Sequence, residues 1–377
     1  MNKTIEKAKT LLVDGPASVT MLSGKAEVFG SKIKEKQKIV IREGKRLPFT
    51  VEEISIFEIS LGAEACAEET EGNTIPKSWV TAYELLCEYR KKPVTIMVVG
   101  GVDSGKTSFC TYLANRMVTE KHKVAVLDED LGQSDIGPPA TVGYAHVSKP
   151  VTDLFNLKPE NTYFIGSTSP SQATEKTIQG VEFLRAEILN KATADFVVVN
   201  TDGWMTGNEA SIFKTKLADA VEPDIVFCLE SENELPSLCA MLGDALGKYV
   251  EERVDSPRAV RERNRETRRS LRELGFVKYL QNARIKVFAL NYLTIEGKEN
   301  YALISQRKAE NLLIGLYDGQ KRFLGIGVIR EVDYTRKALK VLTSVVEKPA
   351  SLLFGKVRLD ENLREIQEKT DIAKITG

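Results

Sequence analysis

Apolar positions along this chain follow three patterns in succession. Up to about residue 80 they come in short β-like runs, at 18–22, 26–29, 38–41 and 54–59. Ser23-Gly24, Gly30-Ser31, Glu43-Gly44-Lys45 and Leu61-Gly62 interrupt them, a rhythm that predicts a small all-β domain. Residues 68–76 are acidic and polar, end in proline, and read as a linker. Further on, nearly continuous apolar runs at 94–99, 123–128, 194–200 and 224–229 alternate with helical stretches. Strands buried on both faces carry such runs, so the middle of the chain predicts a mostly parallel sheet covered by helices. After about residue 285 short runs return at 284–290, 312–317, 325–329 and 340–342, with turn chemistry at Asp318-Gly319. The expectation is an α/β protein with three parts: a β-rich domain over 1–78, a sheet-and-helix domain over 79–283, and a β-rich domain over 284–377.

Length and composition narrow this only a little. A chain of 377 residues with 42% apolar content has room for two or three cores. No apolar run approaches the length that spans a bilayer. The first residues carry acid and no apolar signal core, which sets the expectation of a cytoplasmic protein without a membrane partner. Five scattered cysteines and two histidines offer no zinc pattern, no disulfide framework and no histidine-based apparatus. Lys plus Arg and Asp plus Glu both number 53, so a nucleic-acid partner would need a local basic patch.

The candidate chemistry begins at the end of the 94–99 run. Gly100-Gly101-Val102-Asp103-Ser104-Gly105-Lys106-Thr107 fits the phosphate-binding loop G-x-x-x-x-G-K-[ST], between an expected strand and an expected helix that takes in Ser108. In such a loop the backbone N–H groups turn inward toward phosphate oxygens, and the helix N-terminus adds positive charge. Lys106 then reaches the β- and γ-phosphates, and the Thr107 hydroxyl can ligate Mg²⁺.

Asp128-Glu129-Asp130-Leu131-Gly132-Gln133 closes the next strand. Strand C-termini line the ligand crevice of an open α/β sheet, so these carboxylates should face the γ-phosphate and its metal. One can hold Mg²⁺ through water and another can take a proton from an attacking hydroxyl. The guanine-reading pattern N-K-x-D is missing where 228–234 stands, against a guanine-specific GTPase. Asp255-Ser256-Pro257 reads as a helix start, and Arg261, Arg265, Arg268 and Arg272 follow at helical spacing. That basic face is either a solvated surface or a lid over a transferring phosphoryl group.

Together these motifs resemble the polynucleotide 5′-hydroxyl kinase family, which comprises archaeal RNA kinases and kinase subunits of eukaryotic RNA-processing complexes. The resemblance runs over nearly the whole chain, in the order β-rich domain, P-loop kinase domain, small C-terminal domain. It implies ATP and Mg²⁺, with residues 100–108 around the triphosphate and Thr107, Asp128 and Asp130 at the metal. Asp130 would be the base. Gly166-Ser167-Thr168-Ser169-Pro170 is similar to the clasp that holds the acceptor strand, through Thr168, Ser169 and Pro170, with Gln133 also on the substrate side. Asn200-Thr201-Asp202-Gly203-Trp204 is similar to N-T-x-G-W, whose tryptophan stacks on the terminal base. Arg263 and Arg268, in a lid over 253–275, match the arginine pair that joins Lys106 in catalysis. On an unbroken helix those two would stand about 140° apart and approach from two sides. The implied partners are single-stranded RNA or DNA with a 5′-hydroxyl end and RNA-processing proteins. Two other readings of the same loop are a non-catalytic ATP-bound scaffold and an ATPase coupled to a partner.

Overall fold

Seven strands form the N-terminal sheet: β1 (Asn2–Ile5), β2 (Lys9–Asp14), β3 (Ala17–Val28), β4 (Ser31–Lys32), β5 (Lys38–Ile41), β6 (Arg46–Leu61) and β7 (Ala67–Glu71). They are ordered β4-β3-β6-β2-β7, with β1 added on β6 and β5 on β3. Alternation buries Phe49, Val51, Phe57 and Ile59 along β6. Ser23-Gly24 is not the expected turn: β3 runs through it, and register shifts between Met21 and Ala26 absorb the extra residues. The expected linker at 68–76 starts as strand β7, which pairs with β2 at the sheet edge. An edge strand keeps its charges in water. There Lys9 Nζ lies 2.7 Å from Glu69 and 3.2 Å from Glu71.

The structure, a computed structural model, describes residues 1–230, 249–259, 261–297, 304 and 308–366. It forms two compact units. The first comprises Met1–Gly137, Val142–Tyr163 and Ser169–Leu271; the second comprises Pro138–Thr141, Phe164–Thr168 and Arg272–Gly377.

In the first unit the N-terminal sheet shares a core with an α/β layer. This layer runs α1 (Lys77–Glu88), β8 (Val94–Gly100), α2 (Lys106–Thr119), β9 (Val124–Asp128), β10 (Thr141–Val147), β11 (Asn161–Phe164), α3 (Thr174–Lys191), β12 (Phe196–Asn200), α4 (Asn208–Val221), β13 (Ile225–Glu230) and β14 (Val250–Asp255). The sheet order is β11-β10-β9-β12-β8-β13-β14. β9, β12, β8, β13 and β14 are parallel, and β10 is antiparallel to β9. β8, β9 and β12 are buried at every position, which is why they read as unbroken apolar runs. Trp79 of α1 is fully buried against Phe109 and Tyr112 of α2, and donates through Nε1 to Asp255 O at 3.0 Å. This packing fixes the helix that follows the glycine loop.

The arginine segment departs from expectation. Asp255 ends a strand and the described residues among 256–264 are not helical; the helix α5 spans Arg265–Tyr279. Asp255 is already engaged, accepting from Ser78 Oγ at 2.7 Å. Asn264 does the capping instead, its Oδ1 accepting Thr267 N at 2.8 Å.

The second unit holds β15 (Arg284–Ala289), β16 (Thr294–Glu296), β17 (Leu312–Tyr317), β18 (Phe323–Asp333), β19 (Ala338–Thr343) and β20 (Ser351–Arg358), ordered β15-β19-β18-β17-β20-β16. The short β16 and the later β20 lie outside the runs that the sequence marks. Phe164 stacks on Phe323 with centroids 6.2 Å apart, in a core shared with Leu313, Val328 and Phe276. Among the described residues no helix is long and apolar enough to cross a membrane.

Candidate functional site

The C-terminal ends of β8, β9 and β12 converge where open α/β sheets place ligands, and the site is assembled there. The glycine loop leaves β8 at Gly100 and enters α2 at Lys106. Gly105 caps that helix at φ +94°, a left-handed backbone that glycine adopts without strain. Lys106 is buried, and its Nζ donates to Gly100 O at 2.9 Å and Gly101 O at 2.6 Å. Burial brings its ammonium down to about 8, against the opposing pull of Asp130. Around it the loop residues Gly101, Asp103, Thr107 and Ser108 are partly exposed, Val102 is exposed and Ser104 is buried.

The carboxylates at the end of β9 have different surroundings. Asp128 is fully buried and nearly saturated. Its Oδ2 accepts from Asp135 N at 2.6 Å and Ile136 N at 3.1 Å, and its Oδ1 from Asn200 Nδ2 at 2.8 Å. Burial, helped by Asp135 and Asp130, pushes its carboxyl up to about 7 although Asn200 opposes this. Asp130 differs. Its Oδ1 accepts from Gln133 N at 2.9 Å and Gly132 N at 3.1 Å, and Oδ2 has no hydrogen bond among the described residues. Burial raises its pKa, Asp202 adds to the rise, and Lys106 counteracts it. Asp130 and Lys106 are therefore within electrostatic reach of one another.

Asn200, at the end of β12, links these parts. Its Nδ2 donates to Asp128 Oδ1 and lies 3.4 Å from Thr107 Oγ1. No role was expected of it apart from its place in N-T-x-G-W. Trp204 is half-buried, stacked on Phe213 of α4 at 5.7 Å and 28°. Gly203 presses on the glycine loop, where an added Cβ would lie 2.7 Å from Val102 Cγ2.

The two lid arginines meet on one residue of the glycine loop. Asp103 Oδ1 takes Arg263 Nε at 2.7 Å, and Oδ2 takes Arg263 N and Arg268 Nη2, both at 2.9 Å. Convergence is possible because Arg263 precedes the helix, so the 140° separation expected of an unbroken helix does not apply. Burial alone would raise the Asp103 carboxyl, but Arg263 and Arg268 outweigh it and hold it below its ordinary value. Gln133 ties this segment to the acidic turn, donating through Nε2 to Arg268 O at 2.9 Å. Arg265 is exposed.

Of the expected clasp, Thr168 belongs to the second unit while Ser169 and Pro170 belong to the first. Pro170 is buried at the start of a short 3₁₀ turn, and Ser169 Oγ is 2.8 Å from Ser171 Oγ. Residues 231–234, in the span compared with N-K-x-D, and Cys239 lie outside the described residues. Cys66, Cys87 and Cys110 are free; Cys228 is disulfide-bonded, where spacing carried no pairing signal.

Sequence reasoning missed Lys214 and its pairing with Asp202 and Glu129, the latter expected to face the γ-phosphate. Lys214 of α4 is fully buried, with Nζ 2.5 Å from Asp202 Oδ2 and 3.7 Å from Glu129 Oε2. Burial drives Glu129 well above the usual carboxylate range, and Asp202 adds to it. Asp202 and Glu129 keep Lys214 charged against the same burial. In sequence Lys214 reads as an ordinary surface lysine beside Lys216, and no periodicity marks it.

A family model described as the P-loop of the mRNA cleavage and polyadenylation factor CLP1 matches residues 100–282. A polyribonucleotide 5′-hydroxyl-kinase of Methanocaldococcus jannaschii is 28% identical over 330 residues, covering 73% of this chain and 90% of that protein. Over residues 100–282 this chain is similar to the CLP1 P-loop family. A second relative, a polyribonucleotide 5′-hydroxyl-kinase of Pyrococcus furiosus, is 29% identical over 328 residues, with the same two coverages. A CLP1 homologue of Nematostella vectensis is 29% identical over 280 residues, 69% of this chain and 63% of that protein. The solved Clp1p–Pcf11p complex shares the fold at a TM-score of 0.78 and 15% identity, over 95% of this chain and 97% of that one. The chain is thus an α/β protein with a P-loop nucleotide-binding domain and β-rich domains before and after it.

Proposed function

We propose that this chain is an ATP-dependent polynucleotide kinase that transfers the γ-phosphate of ATP to the 5′-hydroxyl end of RNA. The relatives named polyribonucleotide 5′-hydroxyl-kinase support this reading. One observation carries it: Asp130 stands at a strand end within electrostatic reach of the glycine-loop Lys106, with one carboxylate oxygen unengaged. A plain ATPase or scaffold needs no such base for an alcohol.

The loop amides of 100–108 and Lys106 would hold the triphosphate. Thr107 Oγ1 and the Asp130 carboxylate are hard oxygen donors that fit Mg²⁺, with Asp128 behind them positioned by Asn200. Bound there, Mg²⁺ would supply positive charge opposite the phosphate oxygens. Asp130 accepts the proton of the 5′-hydroxyl; its raised pKa makes it a stronger base than an exposed aspartate. Arg263 and Arg268, held at the glycine loop by Asp103, can shift from that carboxylate to the charge spreading over the phosphoryl oxygens. Trp204 would take the terminal base, while Gln133, Thr168, Ser169 and Pro170 guide the strand. The domains 1–78, 79–283 and 284–377 form part of the same proposal, as nucleotide-side, kinase and C-terminal parts.

The test is transfer of labelled γ-phosphate to a 5′-hydroxyl oligoribonucleotide. Wild type should label the oligonucleotide. Asp130→Asn should lower the rate about 10²- to 10⁴-fold, the usual contribution of a general base, with ATP affinity within about twofold. Release of free phosphate without labelled RNA, or undiminished transfer by Asp130→Asn, would overturn the assignment.

A further inference from the structure

The cluster of Glu129, Asp202 and Lys214 lies where α4 meets the loop that carries Trp204. Lys214 Nζ grips Asp202 twice, at Oδ2 (2.5 Å) and at its backbone oxygen (3.2 Å). The other carboxylate oxygen of Asp202 accepts Trp204 N at 2.5 Å, and Asp202 N donates to Glu129 Oε2 at 2.9 Å. One residue before Lys214, Phe213 is buried and forms the stack beneath the Trp204 ring. On the far side Gly203 is pressed on Val102. Backbone and ring of Trp204 are therefore fixed by the same two consecutive residues of α4.

A charged trio without solvent contact is costly, and well-packed apolar side chains are often as stable or more so. Core stability alone therefore does not account for Lys214. The same trio joins Glu129, the neighbour of Asp130, to the Trp204 loop, so it sets the base and the platform in register.

We propose that Phe213 and Lys214 are positioning residues that hold Trp204 as a rigid stacking platform for the terminal base of the acceptor, in register with Asp130. The proposal rests on the kinase reading above and names the part of the molecule that orders its acceptor site. A platform already in place binds a base without first losing its own freedom, so loosening it weakens acceptor binding. The glycine loop does not depend on this pair for its hydrogen bonds, and nucleotide binding is spared.

The experiment uses the full chain with Phe213→Leu and Lys214→Met, and Ile212→Ala as a control on the exposed side of the same helix. Steady-state kinetics are measured with a 5′-hydroxyl oligoribonucleotide, and nucleotide affinity with a fluorescent ATP analogue. Phe213→Leu should raise the acceptor KM about tenfold, which is within the range of losing part of one stacking contact. Analogue affinity should stay within about twofold, and Ile212→Ala should match wild type. Lys214→Met should raise KM likewise and also lower kcat, because Glu129 and Asp202 lose the positive charge that lies between them. An unchanged acceptor KM in Phe213→Leu overturns the proposal, whether or not Lys214→Met folds. An equal loss of analogue affinity also overturns it, since that marks general damage.

A second readout separates failure of this proposal from failure of the kinase reading. In a Trp79→Phe background the emission comes from Trp204 alone, as the chain has two tryptophans. Phe213→Leu should shift that emission to the red and raise its quenching by acrylamide, even if wild type transfers no phosphate. Unchanged emission and quenching refute a rigid platform independently of any activity.

Discussion

Asp128 and Asp130 stand two positions apart, and their environments assign them different work. Asp128 spends its oxygens on its own chain and is raised to about 7; Asp130 keeps one oxygen open. The rise at Asp128 makes a stability prediction. Its folded pKa lies above its unfolded value of about 3.9, so its contribution is full below that value and fades as pH rises through 7. Glu129 and Asp130 are shifted in the same direction. Asp103 and Asp153 are shifted downward and act only in acid, below that window. The metal-free protein should therefore melt at a higher temperature at pH 5.5 than at pH 7.5. Asp128→Asn should flatten that dependence, as read by calorimetry at both pH values. An equal slope in the variant would remove Asp128 as its source.

At the scale of elements, the lid segment shows how local signals compete. Asp255-Ser256-Pro257 has the chemistry of a helix start, but β13 draws Val250–Asp255 into the sheet and Ser78 occupies the Asp255 carboxylate. The helix then begins nine or ten residues later, at the next capping side chain, Asn264. Asn264→Ala should cost about 1 kcal/mol, as loss of a cap does, read from urea denaturation, and should speed amide exchange over the first turn of α5. Asp255→Ala should leave exchange in that turn unchanged; faster exchange there would show that the helix start depends on Asp255 after all. The delayed start also keeps Arg263 outside the helix, which lets it join Arg268 on Asp103.

Over the first unit as a whole, the N-terminal sheet does more than pack on the α/β layer. Arg42, in the turn after β5, pairs with Asp135 and, through Nε at 2.7 Å, with Asp153; Lys45 Nζ reaches Asp135 at 3.1 Å. These side chains are largely buried, and Asp135 N is the donor that holds Asp128 Oδ2. Removing Arg42 would leave two buried carboxylates short of their partner. Arg42→Ala should therefore destabilise by about 3–5 kcal/mol, measured by denaturant unfolding. It should also lower phosphoryl transfer more than nucleotide affinity, because the turn it anchors positions the acidic residues. A loss below about 1 kcal/mol would mean that Lys45 and solvent compensate, and the N-terminal sheet would then have no hold on the site.

The sequence by itself was enough for the kind of protein and for the contiguous motifs from which the candidate site is built. The glycine loop, the acidic strand end and Asn200–Trp204 are contiguous motifs, and continuous apolar runs marked β8, β9, β12 and β13 because both faces of those strands are covered. Local pattern could not decide which of two capping side chains starts the lid helix, or that acidic residues 67–71 would join a sheet edge. Those outcomes depend on hydrogen-bond partners far away in the chain. Nor could it find Lys214 or Arg42, surface-like in sequence and buried in the fold. A charge becomes buried only when opposite charges from other elements close around it, and that pairing is a property of three-dimensional packing.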